Sequence, residues 1–583
     1  MIVLFPGLPL SLAEVTMSRT LRIILVSIGI FIVLLLIVPF LIPVNQFRPS
    51  IEEKASAALG RKVTLGNLSL SLFSGSLAAE SLSIGDDPKF STSPFLTAKS
   101  FRVGVELMPL IFSKTVNVTG ITIQSPQVML IRNAAGQWNY SSLGGSSAKA
   151  EPTPEAAKSP SSSSSPASLS IKRLELKDGQ INIGSTNAQK RSTYDHVNVS
   201  ASDVSLTSKF PVVVTADLPL GGKFKFDGNV GPVDQTDVSL TALTAKLNIG
   251  SLNLASTGLL DPSLGLGGLL DLDATVGSEN GEAETKGTTK LSKALLIAGG
   301  SPASEPLIID FSTKYDLRKN AGVLNPSTLK IGNAVAQLTG TYQIAEETIL
   351  NIKLDSQNMP AKDLESFLPA LGINLPKGAT LEGGTLNANL ILTGPTKKLV
   401  TTGNVGLFAA KLTGFDLGSK MSAISSLTGV HTGKDLQIEK LTTNLRMVPD
   451  GLKADHFIAV VPSLGNLVGA GTIDSKNNLD FKMAATLTNA LGAAGSPVSS
   501  AAGAIGKLTG GGGGCKSGTT VPFMIQGTTS DPKFVPDVGG LAANVLKSQL
   551  NCVGSAVPGV TSGQSPADAL GGLTGLFGKK KKP

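Results

Sequence analysis

Through most of its length this chain alternates apolar and polar residues one for one, and a period of two leaves few folds open to it. Val63 and Leu65, then Leu68, Leu70 and Leu72, Leu82 and Ile84, Phe101, Val103, Val105 and Leu107, Val116 and Val118, and Ile121 and Ile123 all follow it. The alternation resumes with Leu174 and Leu176, Ile181 and Ile183, Val197 and Val199, Val204 and Leu206, Phe224 and Phe226, and Val238 and Leu240. It returns in Leu479, Phe481 and Met483 and in Phe523 and Ile525. Successive side chains of a strand point to opposite faces, so each run predicts a strand that is apolar on one face and polar on the other. Lys177-Asp178-Gly179 and Asp227-Gly228-Asn229 read as turns between such strands. No helix-length pattern separates most of them, so the expected sheet is antiparallel. The phase slips at Gly66-Asn67, which predicts a bulge or a tight turn.

Helical spacing is rare by comparison. Phe47, Ile51, Ala55 and Leu59 share one helix face, and Gly60 supplies a stop. Leu364, Phe367, Leu368 and Leu371 predict a second helix, and Leu417, Met421, Ile424 and Leu427 a third. The expected order is an N-terminal helix-plus-β domain at 44–143, a Pro/Ser-rich linker or loop at 144–168, a middle β region at 169–395 and a C-terminal β region at 396–538. Residues 539–583 read as a mostly disordered Gly/Ala/Ser-rich tail with a basic end and a short helix near 539–550.

The longest apolar run is Leu21–Ile42, broken only by Arg22. About 20 such residues span a bilayer. Pro39, Pro43, Asn45 and Gln46 do not form a small-residue cleavage site, so the run reads as a retained anchor over 19–43 rather than a signal peptide. Arg19 and Arg22 place residues 1–18 in the cytoplasm and the body on the far side, although Arg48 and Lys54 weaken the bias. Met17 is an alternative start.

Mean hydropathy is +0.20, although aromatic residues make up only 4%. One anchor cannot raise the average of 583 residues that far, so the body is itself aliphatic. A large core would explain this, and so would an apolar surface kept for binding. The net charge of +8 is half supplied by Lys579–Lys582, and no basic face with interleaved aromatics suggests nucleic acid. Catalytic chemistry needs converging polar groups, and none are found. His196, His431 and His456 lack metal-ligand spacing and read as structural or solvated. Gly510–Ser517 approaches a phosphate-binding loop, but Cys515 stands where its last glycine belongs. No enzyme activity, cofactor or metal is expected. Cys515 and Cys552 are the only cysteines, and in an oxidising compartment they are expected to pair; the alternative is two unpaired thiols.

Several short motifs occur in order: Phe47-Arg48-Pro49, Gly60-Arg61-Lys62-Val63, Leu68-Ser69-Leu70-Ser71-Leu72, Leu107-Met108-Pro109-Leu110, Ser125-Pro126-Gln127-Val128 and Asn133-Ala134-Ala135-Gly136-Gln137-Trp138-Asn139-Tyr140. In this combination the stretch to about residue 145 resembles the N-terminal region of the AsmA family. A C-terminal stretch resembles it too, from Thr432-Gly433-Lys434-Asp435-Leu436 to Gly527-Thr528-Thr529-Ser530-Asp531-Pro532. The resemblance implies a mainly β fold: one transmembrane helix in the inner membrane of a Gram-negative bacterium, then a long antiparallel sheet in the periplasm, curled into an apolar groove. It also implies phospholipid movement between the membranes or support of outer-membrane assembly, with outer-membrane assembly proteins as further partners. Acyl chains would then lie on the alternating apolar side chains, for which Phe101, Val103, Val105 and Leu107 near the membrane and Leu479, Phe481 and Met483 far along the chain are the candidates. A scaffold that fills the same face with its own side chains is the competing expectation.

Overall fold

In a computed structural model, the described residues are 44–71, 75–106, 118–145, 170–188, 190–345, 347–422, 435–486 and 520–537. The run Leu21–Ile42, Leu72, Leu107, Val116, His431, both cysteines, most of the Pro/Ser-rich stretch and the tail lie outside them. Among the described residues no helix is long and apolar enough to cross a membrane.

The fold is mainly β, a large and largely antiparallel sheet with a few short helices. Two compact units divide it: one runs to Leu260 and adds Leu270–Glu284, and the other takes Asp261–Leu269 and the residues from Thr285 onward. The expected middle region therefore contributes to both.

The first unit opens with helix α1 (Arg48–Leu59), preceded by a 3-10 turn at Val44–Phe47 and closed by Gly60 at φ 64°. Its strands are β1 (Val63–Leu65), β2 (Leu68–Ser71), β3 (Ser76–Ala79), β4 (Leu82–Ile84), β5 (Leu96–Ala98), β6 (Ser100–Val105), β7 (Val118–Gln124), β8 (Gln127–Arg132), β9 (Ser170–Ser185), β10 (Ser192–Ser205), β11 (Phe210–Asp217), β12 (Lys223–Val230) and β13 (Leu243–Asn253). The first eight are halves of four longer strands. β1 and β2 pair with β4 and β3, β3 and β4 with β6 and β5, and β6 and β5 with β7 and β8, each pair of halves in one continuous register. The interruptions stand side by side, and backbone bonds such as Gly66 N–H to the Ser81 carbonyl and Gln180 N–H to the Pro126 carbonyl stitch across them. The phase slip at Gly66-Asn67 is one of them, and it puts both Leu65 and Leu68 into one buried cluster.

Three expectations need correction here. Lys177-Asp178-Gly179 is no turn: it lies inside β9, with Asp178 at φ 54° on the same line of interruptions. Asp227-Gly228-Asn229 likewise sits within β12, and Val238–Leu240 is a 3-10 turn that the Asp237 side chain caps through Ser239 N–H. Asp178 serves as a strand irregularity, whereas Asp227-Gly228-Asn229 pairs in unbroken register on both sides, with Gly228 close against Ala245. The third correction is orientation, for β9 runs parallel to both β7 and β8. A parallel pair needs a crossover of a dozen or more residues, and the long segment between β8 and β9 is where the chain has one.

α1 closes the free edge of the sheet. Unpaired strand edges invite association unless covered. Here the outward N–H groups of Val63, Leu65 and Leu68 donate to Ser56 Oγ (2.9 Å), Glu52 Oε1 (2.7 Å) and Asn45 Oδ1 (2.8 Å). The Leu65 N–H, followed by Arg48, holds the Glu52 carboxyl below its ordinary range. A depressed carboxylate contributes its stability at neutral pH and loses it as pH falls through the lowered value. A buried polar clamp fixes the other end of α1. Arg61 pairs with Asp86 at 3.1 Å and donates to the Asn139 carbonyl at 2.7 Å, while Asn139 Nδ2 donates to Asp86 Oδ2 at 2.9 Å.

The second unit takes in β14 (Gly267–Glu279) and β15 (Glu282–Leu295), each shared with the first, then β16 (Leu307–Asp316), β17 (Ala321–Ile331), β18 (Ala334–Gln343) and β19 (Ile349–Pro360). It continues with β20 (Thr380–Pro395), β21 (Val400–Thr413), β22 (Leu436–Val448), β23 (Gly451–Val461), β24 (Gly465–Asp474), β25 (Leu479–Thr486), β26 (Thr520–Thr528) and β27 (Asp531–Pro536). From β16 on, each strand pairs antiparallel with the next. The helix expected over Leu364–Leu371 is two pieces, α2 (Ala361–Glu365) and a 3-10 turn at Leu368–Leu371, because Pro369 removes a helical donor. α3 covers Leu417–Lys420, and Ile424 and Leu427 of the expected third helix lie outside the described residues.

The last strand protects its own edge. Asp537 N–H bonds the Pro522 carbonyl, so the odd-numbered N–H groups face β26 and the even positions point outward. Two of those, Pro532 and Pro536, carry no N–H. Pro532 is buried and Pro536 only partly so, and replacing Pro536 alone with threonine is expected to produce a concentration-dependent higher-order species by light scattering. A variant as monodisperse as its parent refutes this role for that proline.

Candidate functional site

Strand registry brings apolar residues from distant parts of the chain into rows across the first unit. One row runs Leu68, Ala79, Phe101, Ile123, Leu176, Val199, Val214, Phe226 and Leu247, each paired with the next on the neighbouring strand. A second row two residues along each strand holds Leu70, Leu77, Val103, Ile121, Leu174, Ala201, Val212, Gly228 and Ala245. At about 4.8 Å per strand each row extends roughly 38 Å. Residues between the rows face the other way and are mostly polar: Ser69, Arg102, Thr122, Glu175, Ser200, Asp227 and Lys246.

Val44 and Ile51 pack where the rows begin, against the cluster of Leu65, Leu68 and Ala79, on which Leu77 and Phe101 also pack. Beyond that point the large side chains are half-buried: Phe101, Val103, Ile121, Ile123, Leu174, Leu176, Val199, Val214, Phe226 and Leu247. Water is excluded from them only in part. The opposite face carries exposed ion pairs such as Lys225–Asp227 and Lys223–Asp217. Such pairs add little stability but keep that face wet. The Lys223 ammonium, with His196 nearby, holds the Asp217 carboxyl below its ordinary range.

The candidates from the sequence fall into two environments. Phe101 and Val103 lie in the two rows, and half-buried Val105 follows on the same strand past a register shift at Gly104; Leu107 lies outside the described residues. In the second unit a comparable row runs Leu338, Leu354, Leu390, Gly403, Leu445, Ala454, Gly471, Phe481, Ile525 and Phe534. There Phe481 and Met483 are buried, at 9% and 5% exposure, in a cluster that Leu479 flanks. The ring of Phe481 lies over Gly471, where a Cβ would collide with it. Sequence reading missed Val212, Val214 and Ala201. In Pro211-Val212-Val213-Val214 three valines in succession hide the phase, and alanine gives little periodic signal.

His196 and His456 occupy strand irregularities at φ 48° and 53°, so each serves a backbone position. Among the described residues no three acidic, histidine or cysteine side chains are grouped to hold a metal.

A short helix that covers one sheet edge, followed by registered strands with one apolar face, defines the class. Residues 17–257 match the AsmA family. The match reaches well past residue 145, where the motif resemblance ends, and stops before the C-terminal stretch that also resembles the family. No curated protein and no solved structure matches the chain.

Proposed function

We propose that this is an envelope protein, held in the inner membrane by Leu21–Ile42 with its β body in the periplasm, that carries phospholipid acyl chains in a groove lined by the apolar rows of its first unit. It would move phospholipid between the inner and outer membranes or supply it to outer-membrane assembly. The observation that carries the reading is the pair of half-buried apolar rows backed by a polar face. Each acyl CH₂ removed from water gains about 0.8 kcal/mol, so a few contacts per strand suffice. The match of residues 17–257 to the AsmA family supports the envelope setting. The protein would transport its cargo unchanged, with no cofactor and no nucleic acid.

Benzoylphenylalanine placed at Val103 or Val214 and illuminated in cells should give lipid adducts detectable by mass spectrometry. The same residue at Arg102 or Thr215, one position along and on the opposite face, should give none. Equal adducts at both, or none at either, defeats the reading. For the topology, alkaline phosphatase fused after residue 145 should be active, and an inactive fusion beside an active cytoplasmic reporter places the body inside instead.

The scaffold reading is favoured by one observation, the self-filled apolar cluster around Phe481. A scaffold should show no lipid adduct anywhere along the chain.

A further inference from the structure

The apolar face is not equally available in the two units. β20 and β27 stand seven pairings apart, roughly 34 Å in a flat sheet. Yet the N–H of Lys377, just ahead of β20, bonds the Ser530 carbonyl in the β26–β27 turn at 3.0 Å. Phe415, just past β21, meets Phe534 of β27 edge-on with ring centroids 6.3 Å apart. Phe534 lies against Phe523 at 6.2 Å, and Phe457 against Phe481 at 6.4 Å. This stretch of sheet is therefore bent until its apolar face packs on itself. Met421 is 2% exposed in the same cluster. Between Phe415 and Met421, Lys420 pairs with Asp531. The segment 415–421 is thus a strap tied to the last hairpin.

Resting on the acyl-binding reading, we propose that this phenylalanine cluster closes the C-terminal end of the apolar face to acyl chains, that lipid contact is held to the half-buried rows ahead of it, and that the strap keeps the cluster shut. Interiors packed to crystal density have no room for an alkyl chain. Seating one beside Phe481 and Phe523 means displacing Phe415, which is 7% exposed, whereas the first unit offers side chains already part open.

Full-length protein in vesicles of phosphatidylethanolamine and phosphatidylglycerol, doped with phosphatidylethanolamine carrying a diazirine acyl chain, separates the cases. After illumination, label is expected on the peptides spanning 101–105 and 212–215. Exclusion by close packing predicts at least about tenfold less on those spanning 481–483 and 521–525. Phe415→Ala with Lys420→Gln should raise the second pair to near the first and leave the first unchanged. If that variant does not fold, Lys420→Gln alone, at an exposed ion pair, is read the same way. Equal label on 481–483 in the unmodified protein overturns the closure and leaves acyl binding standing. A folded variant with no rise overturns the role of the strap. No label on any of these peptides overturns acyl binding, and the closure with it.

Discussion

Asp86→Ala is expected to cost the first unit about 3–5 kcal/mol, because it leaves a buried guanidinium without its counter-charge. The Asp86 side chain is fully buried and that of Arg61 is 6% exposed. Arg61 would keep neutral partners in the Asn139 carbonyl and Ser142 Oγ, both at 2.7 Å, and the Gly85 carbonyl at 3.4 Å, and Asp87 would stay near enough to feel its charge without bonding it directly. Asn139 would lose one of its two acceptors, keeping only the Met129 carbonyl. At about 2–4 °C per kcal/mol for a unit of this size, melting should fall by on the order of 10 °C. Trp138 is the sole tryptophan and stacks on Tyr140 beside this clamp, so its fluorescence reports the first unit alone. Arg61→Met with Asp86→Leu should cost less than Asp86→Ala, since removing both charges leaves neither stranded. A melting point within a degree or two of the parent for Asp86→Ala would show that the pair does not hold α1 to the sheet.

Much of that clamp is legible in the sequence, but not its centre. Arg61 and Asn139 stand in motifs that carry the family resemblance. Asp86 does not, because Asp86-Asp87-Pro88 has the composition of any exposed turn. Only the pairing of β1 with β4 shows that the segment after Ile84 returns beside Gly60-Arg61. Ion pairs between residues far apart in sequence leave no periodic trace.

The same limit governs the strands. Period two finds most of them and tells their apolar face from their polar face, because each strand is half-buried on its own account. It does not show which strand lies beside which, so Leu68 and Leu247 cannot be placed in one row from alternation alone. Asp-Gly pairs mislead at 178–179, since bulge and turn ask for the same residues, and at 227–228, where the glycine instead admits the close approach of Ala245. Nor does alternation separate an open face from a packed one. Phe101 and Phe481 alternate in the same way, and what differs is the layer that reaches Phe481, supplied by Phe415, Met421 and Phe534 from elsewhere in the chain.

That difference sets the second large effect. Phe481→Asp with Met483→Asp should unfold the second unit, because two carboxylates would be forced into a cluster where the residues they replace are 9% and 5% exposed. Burying an uncompensated charge costs about 3–5 kcal/mol, and two neighbouring ones are comparable with the 5–15 kcal/mol by which most domains are stable. Val103→Asp with Val105→Asp places the same charges on half-buried positions where water already reaches. There the loss should be about 1 kcal/mol per site, the ordinary cost of a surface-proximal change. Scanning calorimetry of the full chain should show the second-unit transition abolished in the first variant. In the second variant both transitions should survive, while acyl-chain crosslinking at the 212–215 peptide collapses. Equal destabilisation by the two pairs would mean that the face bearing Phe101 and Val103 is a sealed core like the other. The apolar rows would then be serving the fold and not a ligand.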